Sequence, residues 1–412
     1  MNISKFAVFI YDVSTFDMTE KLNDLSGLPF ADGLDIHVLS RLFDNTTNSY
    51  KYIFLFSLLD ILNRRFFDIS QEITFEEIVI EMLANSWYPY SFFKLSFGTQ
   101  DMIPNQLDNL GLQVGKIALK GDFKSKEHLR DLIASKSPSL FLMDYVPFRI
   151  NTAFFRPELR KLPDYLVNRT VVKLANENFE TRKPLLKYGD SNLSVLIHPE
   201  WSVYFKSNYA IVRGWISWEW LKYMQRCNPS VPAISNKLFA PQHRESLKSQ
   251  TDYWKVVLAH SQLSCIYSKQ KLEEDNLSLD HYLPWSFVTH DLLWNLIPTT
   301  REVNSSKSDN LPASTYFEMF VGMQHQGLIT SHANMSEKIW SRFIEPYILE
   351  LRITDKCELL ELDKLRKAYE SVLLPQINLA ISHGFTPNWI YHSFFYCYPR
   401  YIIHKSEKTF RY

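Results

Sequence analysis

One segment constrains the fold of this chain more than any other: residues 279–312, LDHYLPWSFVTHDLLWNLIPTTREVNSSKSDNLP. It sets an Asp-His pair, two asparagines and a lysine at fixed offsets among large apolar residues. The stretch LSLDHYL predicts a short strand, and TREVNSSKSD predicts a short helix. A strand and a helix that pack together can bring Asp280 and Asn304 to one point, with His281 beside them.

These side chains are suited to metal-assisted hydrolysis. The carboxylate of Asp280 and the amide oxygen of Asn304 are ligands for a hard divalent ion such as Mg²⁺, with water completing the coordination. A neutral imidazole at His281 can take a proton from water. A metal ion and a base together can hydrolyse a phosphodiester, because the metal offsets charge on the phosphate while the base makes the nucleophile.

The layout resembles the HNH nuclease motif, also called the ββα-metal or His-Me finger, and we call residues 265–312 the finger. The resemblance implies that His281 is the general base and that Asp280 and Asn304 bind Mg²⁺, Mn²⁺ or Ni²⁺. Asn295 matches the middle Asn, which in the family holds the loop that bears the His. Lys307 matches a basic residue near the phosphate.

Many HNH proteins also hold a structural zinc between two Cys-x-x-Cys knuckles, and this chain departs from that pattern. Its first knuckle has Cys265 and Ser268, and its second has Thr300 and Val303. Three of four ligands are missing, so we expect no structural zinc. We expect the finger to be held by apolar packing instead, through Trp285, Phe287, Trp294 and Leu296.

The remaining chain predicts an α+β fold: a mainly helical protein with a small strand meander and an embedded ββα-metal finger. The β-branched and aromatic residues 193–216 predict the meander. The expected organisation is a helical recognition or interaction region, a linker, an HNH domain and a C-terminal helical region, at residues 1–228, 229–250, 251–312 and 313–412.

Charge limits how the chain can bind nucleic acid. Lys+Arg and Asp+Glu are both 45, so any binding must come from local patches. One basic run, interleaved with aromatic residues, contains Arg156, Arg160, Lys161 and Arg169. It is either a phosphate-contacting surface or a solvated helix face. The basic, aromatic tail at residues 396–412 either stacks bases or docks on the protein itself.

Four scattered cysteines and apolar runs too short to span a bilayer favour a cytoplasmic protein without membrane contact. More loosely, the N-terminal part resembles bacterial stand-alone HNH endonuclease domain-containing proteins, which implies defence against foreign DNA. We therefore expect a metal-dependent DNA endonuclease. Two alternatives stay open: a nuclease subunit of a larger nucleoprotein complex of the CRISPR type, and a non-catalytic nucleic-acid-binding protein.

Overall fold

The computed structural model describes residues 27–44, 46–112, 123–191, 193–240 and 246–392. The chain divides into two units, an N-terminal unit of residues 1–243 and a C-terminal unit of residues 244–412. The division falls inside the segment 229–250 that the sequence predicts as a linker. The basic, aromatic tail lies outside the described residues.

The N-terminal unit is mainly helical. Its helices are α1 (Ile36–Ser40), α2 (Tyr50–Arg64), α3 (Phe75–Trp87), α4 (Ile103–Leu110), α5 (Phe123–Ala134), α6 (Val146–Asn151), α7 (Arg156–Leu159), α8 (Asp164–Glu177), α9 (Phe179–Arg182), α10 (Pro199–Ser207) and α11 (Tyr209–Cys227). Helix α2 is apolar on nearly all sides and is buried over most of its length. Thr74 is the N-cap of helix α3, because its hydroxyl accepts a hydrogen bond from the Glu77 amide.

Three short strands form an antiparallel sheet in the N-terminal unit: β1 (Ile73–Thr74), β2 (Leu186–Tyr188) and β3 (Ser194–Ile197), in the order β1-β3-β2. The predicted meander is wrong beyond Ile197, because α10 begins at Pro199. Helices α10 and α11 bury their large residues at helical spacing, and the aromatic composition concealed that period. The mainly helical α+β class is confirmed.

The C-terminal unit contains the finger and the helices around it. Its elements are α12 (Lys248–His260), β4 (Leu277–His281), α13 (Trp285–Val288), β5 (Leu296–Thr300), α14 (Arg301–Lys307), α15 (Phe317–Asn334), α16 (Glu337–Glu350) and α17 (Leu362–Ser382). The apolar residues of the finger and of α15 to α17 belong to one buried cluster. The finger and the C-terminal helices therefore share a core.

None of the helices in the described part of the chain combines the length and the apolar character that crossing a bilayer requires.

Candidate active site

A strand, a loop, a second strand and a helix build the site, and the first strand and the helix lie where the sequence predicts them. Strands β4 and β5 pair antiparallel, with Asp280 opposite Ile297 and His281 opposite Leu296. The next residue after β5 opens α14, and Thr300 caps that helix by accepting the Val303 amide. The hairpin and helix thus bring residues more than twenty positions apart to one place.

Asp280 lies at the centre of the site and is 1% exposed. Its Oδ2 accepts a hydrogen bond from the Tyr267 hydroxyl at 2.7 Å, and its Oδ1 lies 3.0 Å from the Lys307 ammonium. Burial, and then the nearby Asp280 carboxylate, raise the pKa of the Tyr267 phenol well above its usual value. Tyr267 therefore stays protonated and donates to Asp280.

Lys307 is fully buried and has two contacts on β4. Besides the Asp280 carboxylate, its Nζ donates to the His281 carbonyl at 2.6 Å. The ammonium thus fixes the end of the strand that carries the Asp-His pair. A phosphate contact by Lys307 stays a prediction, since the described contacts of Nζ are both within the protein.

His281 is held by a residue that sequence reasoning missed. Its Nε2 lies 2.7 Å from Asp291 Oδ1, and both side chains are mostly buried. With Nε2 occupied by the carboxylate, Nδ1 is the ring nitrogen left to accept a proton. Asp291 lies in the loop between β4 and β5, ten residues after the histidine. No local pattern distinguishes it from an ordinary loop aspartate.

Asn295 holds the loop on which the site depends. Its Oδ1 accepts the Leu283 amide and its Nδ2 donates to the Leu283 carbonyl, both at 2.9 Å. Its own carbonyl accepts the Tyr282 amide at 2.9 Å. The side chain is completely buried, so Asn295 positions the residues that follow His281. This geometry agrees with the role that the family resemblance implies.

Asn304 packs from α14 against β4. Its Nδ2 donates to Ser278 Oγ at 2.9 Å and to the carbonyl of Leu279 at 3.0 Å, next to Asp280 in the chain. Because the amide nitrogen is used in this way, Oδ1 is the atom left for a ligand. Oxygen donors from Asp280 and Asn304 fit a hard divalent ion by type. Each Asp280 oxygen makes one described bond, and a carboxylate has about four acceptor positions, so the carboxylate retains acceptor positions for an ion.

At the knuckle positions, where other HNH proteins have zinc ligands, residues of this chain make other contacts. Cys265 is buried, with Sγ 3.1 Å from Thr299 Oγ1, and Val303 belongs to the apolar core. Within the described ranges, no three His, Cys, Asp or Glu side chains are grouped as a metal site. The absence of structural zinc stays a prediction.

Apolar packing and buried hydrogen bonds hold the finger. The Gln324 amide on α15 donates to the Leu296 carbonyl at 3.0 Å and accepts the Tyr347 hydroxyl at 2.6 Å. The Tyr369 hydroxyl on α17 donates to the Trp294 carbonyl at 2.8 Å. Of the side chains predicted to pack the finger, three are buried: Phe287, Trp294 and Leu296. The fourth, Trp285, is half-buried.

The basic run lies in the N-terminal unit, and the structure separates its members. Arg156 and Arg160 line a cavity of about 820 Å³. Lys161 and Arg169 are exposed and do not line it. A phosphate-contacting role for these four residues stays a prediction.

The comparisons with known proteins agree with the geometry of the finger. Residues 265–313 match the family described as HNH endonuclease. No curated protein and no solved structure matches the chain. The matched segment spans the residues that build the site, from Cys265 and Tyr267 through the hairpin and α14 to the residues that follow it. Residues 265–313 of this chain are therefore an HNH endonuclease domain.

Proposed function

We propose that the protein is a metal-dependent endonuclease that hydrolyses DNA phosphodiester bonds. One observation carries the proposal: a histidine oriented by a carboxylate stands beside an aspartate and an asparagine on facing elements. His281 supplies the base, and Asp280 and Asn304 supply the oxygen ligands. This combination suits water activation at a phosphodiester.

Asp280 and Asn304 would hold a divalent ion such as Mg²⁺, Mn²⁺ or Ni²⁺. Bound there, the ion would neutralise developing charge on the phosphate and on the leaving oxygen. Lys307 keeps the Asp280 carboxylate in place through the 3.0 Å contact. Tyr267 orients the second oxygen of the same carboxylate. The chain itself therefore fixes the charged ligand before a metal arrives.

His281 carries the proton transfer. Its Nδ1 takes a proton from water, the water oxygen forms a bond to phosphorus, and one P–O ester bond breaks. The leaving oxygen then takes a proton from solvent. Asp291 accepts the Nε2–H and stabilises the imidazolium that forms, so it is a positioning residue. Asn295 keeps the loop after His281 in place.

The test is a cleavage assay on plasmid, linear and single-stranded DNA with Mg²⁺, Mn²⁺ and Ni²⁺ in turn. We expect cleavage that is lost in EDTA, and a rate about 10²- to 10⁴-fold lower in His281→Ala. His260→Ala is the matched control, since His260 is exposed in the same unit and its ring contacts only the Val256 carbonyl among described hydrogen bonds.

Two results would count against the proposal. One is an absence of cleavage with every metal and every DNA form, which would favour a non-catalytic nucleic-acid-binding protein. The other is an equal rate in His281→Ala and wild type. Because the assay includes three forms of DNA, it also separates nicking from double-strand cutting.

The cellular role we propose is defence against foreign DNA in the cytoplasm. The zero net charge favours a second candidate, a nuclease subunit of a nucleoprotein complex, because a free nuclease usually carries its own basic surface. Size-exclusion chromatography of the chain alone and with the products of neighbouring genes separates the two candidates. A stable complex that is needed for cleavage favours the subunit.

A further inference from the structure

The N-terminal unit contains a cavity whose chemistry the finger does not explain. Its volume of about 820 Å³ is within the range of small-ligand sites, roughly 300–1,000 Å³. Helices α2, α6, α7 and α8 all contribute to its walls. We call it the basic cavity, and five cationic side chains line it: Arg41, Lys51, Arg149, Arg156 and Arg160.

Carboxylates compensate only part of this positive charge. Asp44 lies 2.9 Å from the Arg41 guanidinium and 3.6 Å from that of Arg156. Asp164 lies 2.8 Å from Arg149. Asp44 also acts on Lys51, so two carboxylates face five cations. The net charge around the cavity favours an anion.

Arg160 shows this excess directly. Arg160 is exposed at the cavity and forms no ion pair with any residue that the structure describes. Lys51 donates from Nζ to the Leu42 carbonyl at 3.3 Å. Burial, followed by the charges of Arg156 and Arg149, lowers the pKa of Lys51, and the charge of Asp44 opposes that shift. An anion that entered the cavity would relieve this repulsion among cations.

An aromatic cavity of about 860 Å³ adjoins the basic cavity. Tyr145 and Asp164 line both cavities and so form the ridge between them. The Tyr145 side chain is 57% exposed and that of Tyr165 is 81% exposed. The aromatic cavity is otherwise mainly apolar, with Phe148 among its lining residues. Cationic and aromatic surfaces thus meet at one ridge.

We propose that the two cavities together bind a nucleoside phosphate. Lys51, Arg156 and Arg160 bind the phosphate through charge-assisted hydrogen bonds, and the base stacks on Tyr145 in the aromatic cavity. Both a free nucleotide and the phosphorylated end of a single strand carry this chemistry. A duplex presents its phosphates on a convex surface and does not enter a cavity of this size.

The test measures binding to the full chain by isothermal titration calorimetry in EDTA. The probes are inorganic phosphate, AMP, ATP, thymidine, and a short single-stranded DNA with and without a 5′-phosphate. We expect the phosphorylated nucleotides to bind and thymidine not to bind. In the double variant Arg156→Gln/Arg160→Gln, binding should weaken at least about tenfold.

Two further variants separate this site from a diffuse basic surface. Arg169→Gln is the matched control, because Arg169 is an exposed arginine on α8 outside both cavities, and it should bind as wild type does. Tyr145→Ala should weaken the binding of AMP and ATP while leaving inorganic phosphate unchanged. Circular dichroism confirms that each variant is folded.

The proposal is overturned if no phosphorylated probe binds, if thymidine binds as tightly as AMP, or if Arg169→Gln weakens binding as much as the double variant. If AMP or ATP binds more tightly than the DNA, the ligand is a free nucleotide. If the DNA binds only when it carries a 5′-phosphate, the ligand is the phosphorylated end of a strand. Because EDTA removes metal and the assay measures only binding, failure of the nuclease reaction would not affect the result.

Discussion

Among the residues that the structure describes, two almost completely buried carboxylates are ion-paired with a lysine: Glu81 on α3 and Asp280 on β4. Glu81 lies 2.7 Å from Lys126, 2.6 Å from Arg64 and 3.5 Å from Arg130. These cations come from α2 and α5, so the carboxylate joins three helices. Burial alone would raise the pKa of Glu81, but the three cations hold it below its usual value.

Asp280 has a single cation, Lys307, and a phenol, Tyr267. It also adjoins a histidine and faces an amide on the neighbouring helix. Three cations compensate the charge of Glu81, whereas a single cation compensates that of Asp280, which retains acceptor positions for a further ligand. Burial and an ion pair therefore do not identify a functional carboxylate. The number of cations that compensate it, and the groups beside it, distinguish the two cases.

Of the substitutions that test this comparison, we expect the largest effect from one at Glu81. Glu81→Gln removes the charge that holds three cations together in the interior of the N-terminal unit. The free energy of unfolding should fall by about 3–5 kcal/mol, the usual cost of removing one partner from a buried ion pair. Urea denaturation monitored by circular dichroism measures the change, and cleavage per folded molecule should stay the same.

Glu77→Gln is the control for that substitution. Glu77 pairs with Arg64 and Arg65 but is partly exposed, so its loss should cost at most about 1 kcal/mol. Equal losses in the two variants would mean that the buried network contributes no more than a surface pair.

Asp280→Asn should lower activity as well as stability, because it also leaves the buried Lys307 ammonium without its carboxylate. The variant keeps the shape of the side chain but removes the charge from the proposed metal site. The cleavage rate should fall about 100-fold or more, because a bound metal contributes several kcal/mol to transition-state stabilisation. Metal titrations of the cleavage rate measure the effect. A variant that cleaves at the wild-type rate would show that Asp280, like Glu81, is structural.

Asn304→Ala should be less severe than Asp280→Asn, since the amide contributes a dipole and no full charge. Raising the metal concentration should restore much of its activity. Asn304→His should remain active and should favour Mn²⁺ or Ni²⁺ over Mg²⁺, because imidazole is a ligand for softer ions. If Asn304→His is inactive with every metal while Asn304→Ala keeps full activity, Asn304 is not a ligand.

A smaller loss should follow from Asp291→Asn. This substitution removes the charge that orients His281 through the 2.7 Å contact, so the cleavage rate should fall about 10- to 100-fold. Asp291→Glu should recover part of that loss if the carboxylate is what matters. Asp275→Asn, at an exposed residue of the same unit, is the control. A rate in Asp291→Asn equal to the control would remove Asp291 from the proposed mechanism.

The finger was predictable because its signals are local. The strand at Leu277–His281 and the helix at Arg301–Lys307 follow from residue pattern, and fixed offsets identify Asp280, Asn295 and Asn304. The match of this segment to the HNH endonuclease family confirms the resemblance. The roles of the individual residues stay predictions.

Other features depend on contacts that sequence spacing does not encode. Tyr267 and Lys307 meet at Asp280 from positions before and after it, and only the folded hairpin and helix bring them together. Residues 199–216 carry aromatic and β-branched side chains typical of strands, yet they lie in α10 and α11. Trp201 and Ile216 are fully buried there, so tertiary burial decided the structure.

Lys237 extends the comparison to a buried cation. It lies in the N-terminal unit, is completely buried, and burial lowers its pKa from 10.5 to about 7. Between these two values the unfolded chain holds a proton that the folded chain lacks, so unfolding takes up a proton. The free energy of unfolding should therefore rise with pH above about 7, by at most about 1.4 kcal/mol per pH unit. Below about pH 7 both states hold the proton, and the cost of burying the charge is fully present.

Lys237→Met removes this titration, so the pH dependence of its unfolding free energy should be flatter than that of wild type between about pH 7 and pH 9. Urea denaturation across that range, for wild type and variant in parallel, gives the difference in slope. Lys136→Met, at an exposed lysine of the same unit, should keep the wild-type slope. Parallel curves for wild type and Lys237→Met would show that Lys237 is charged in the folded state.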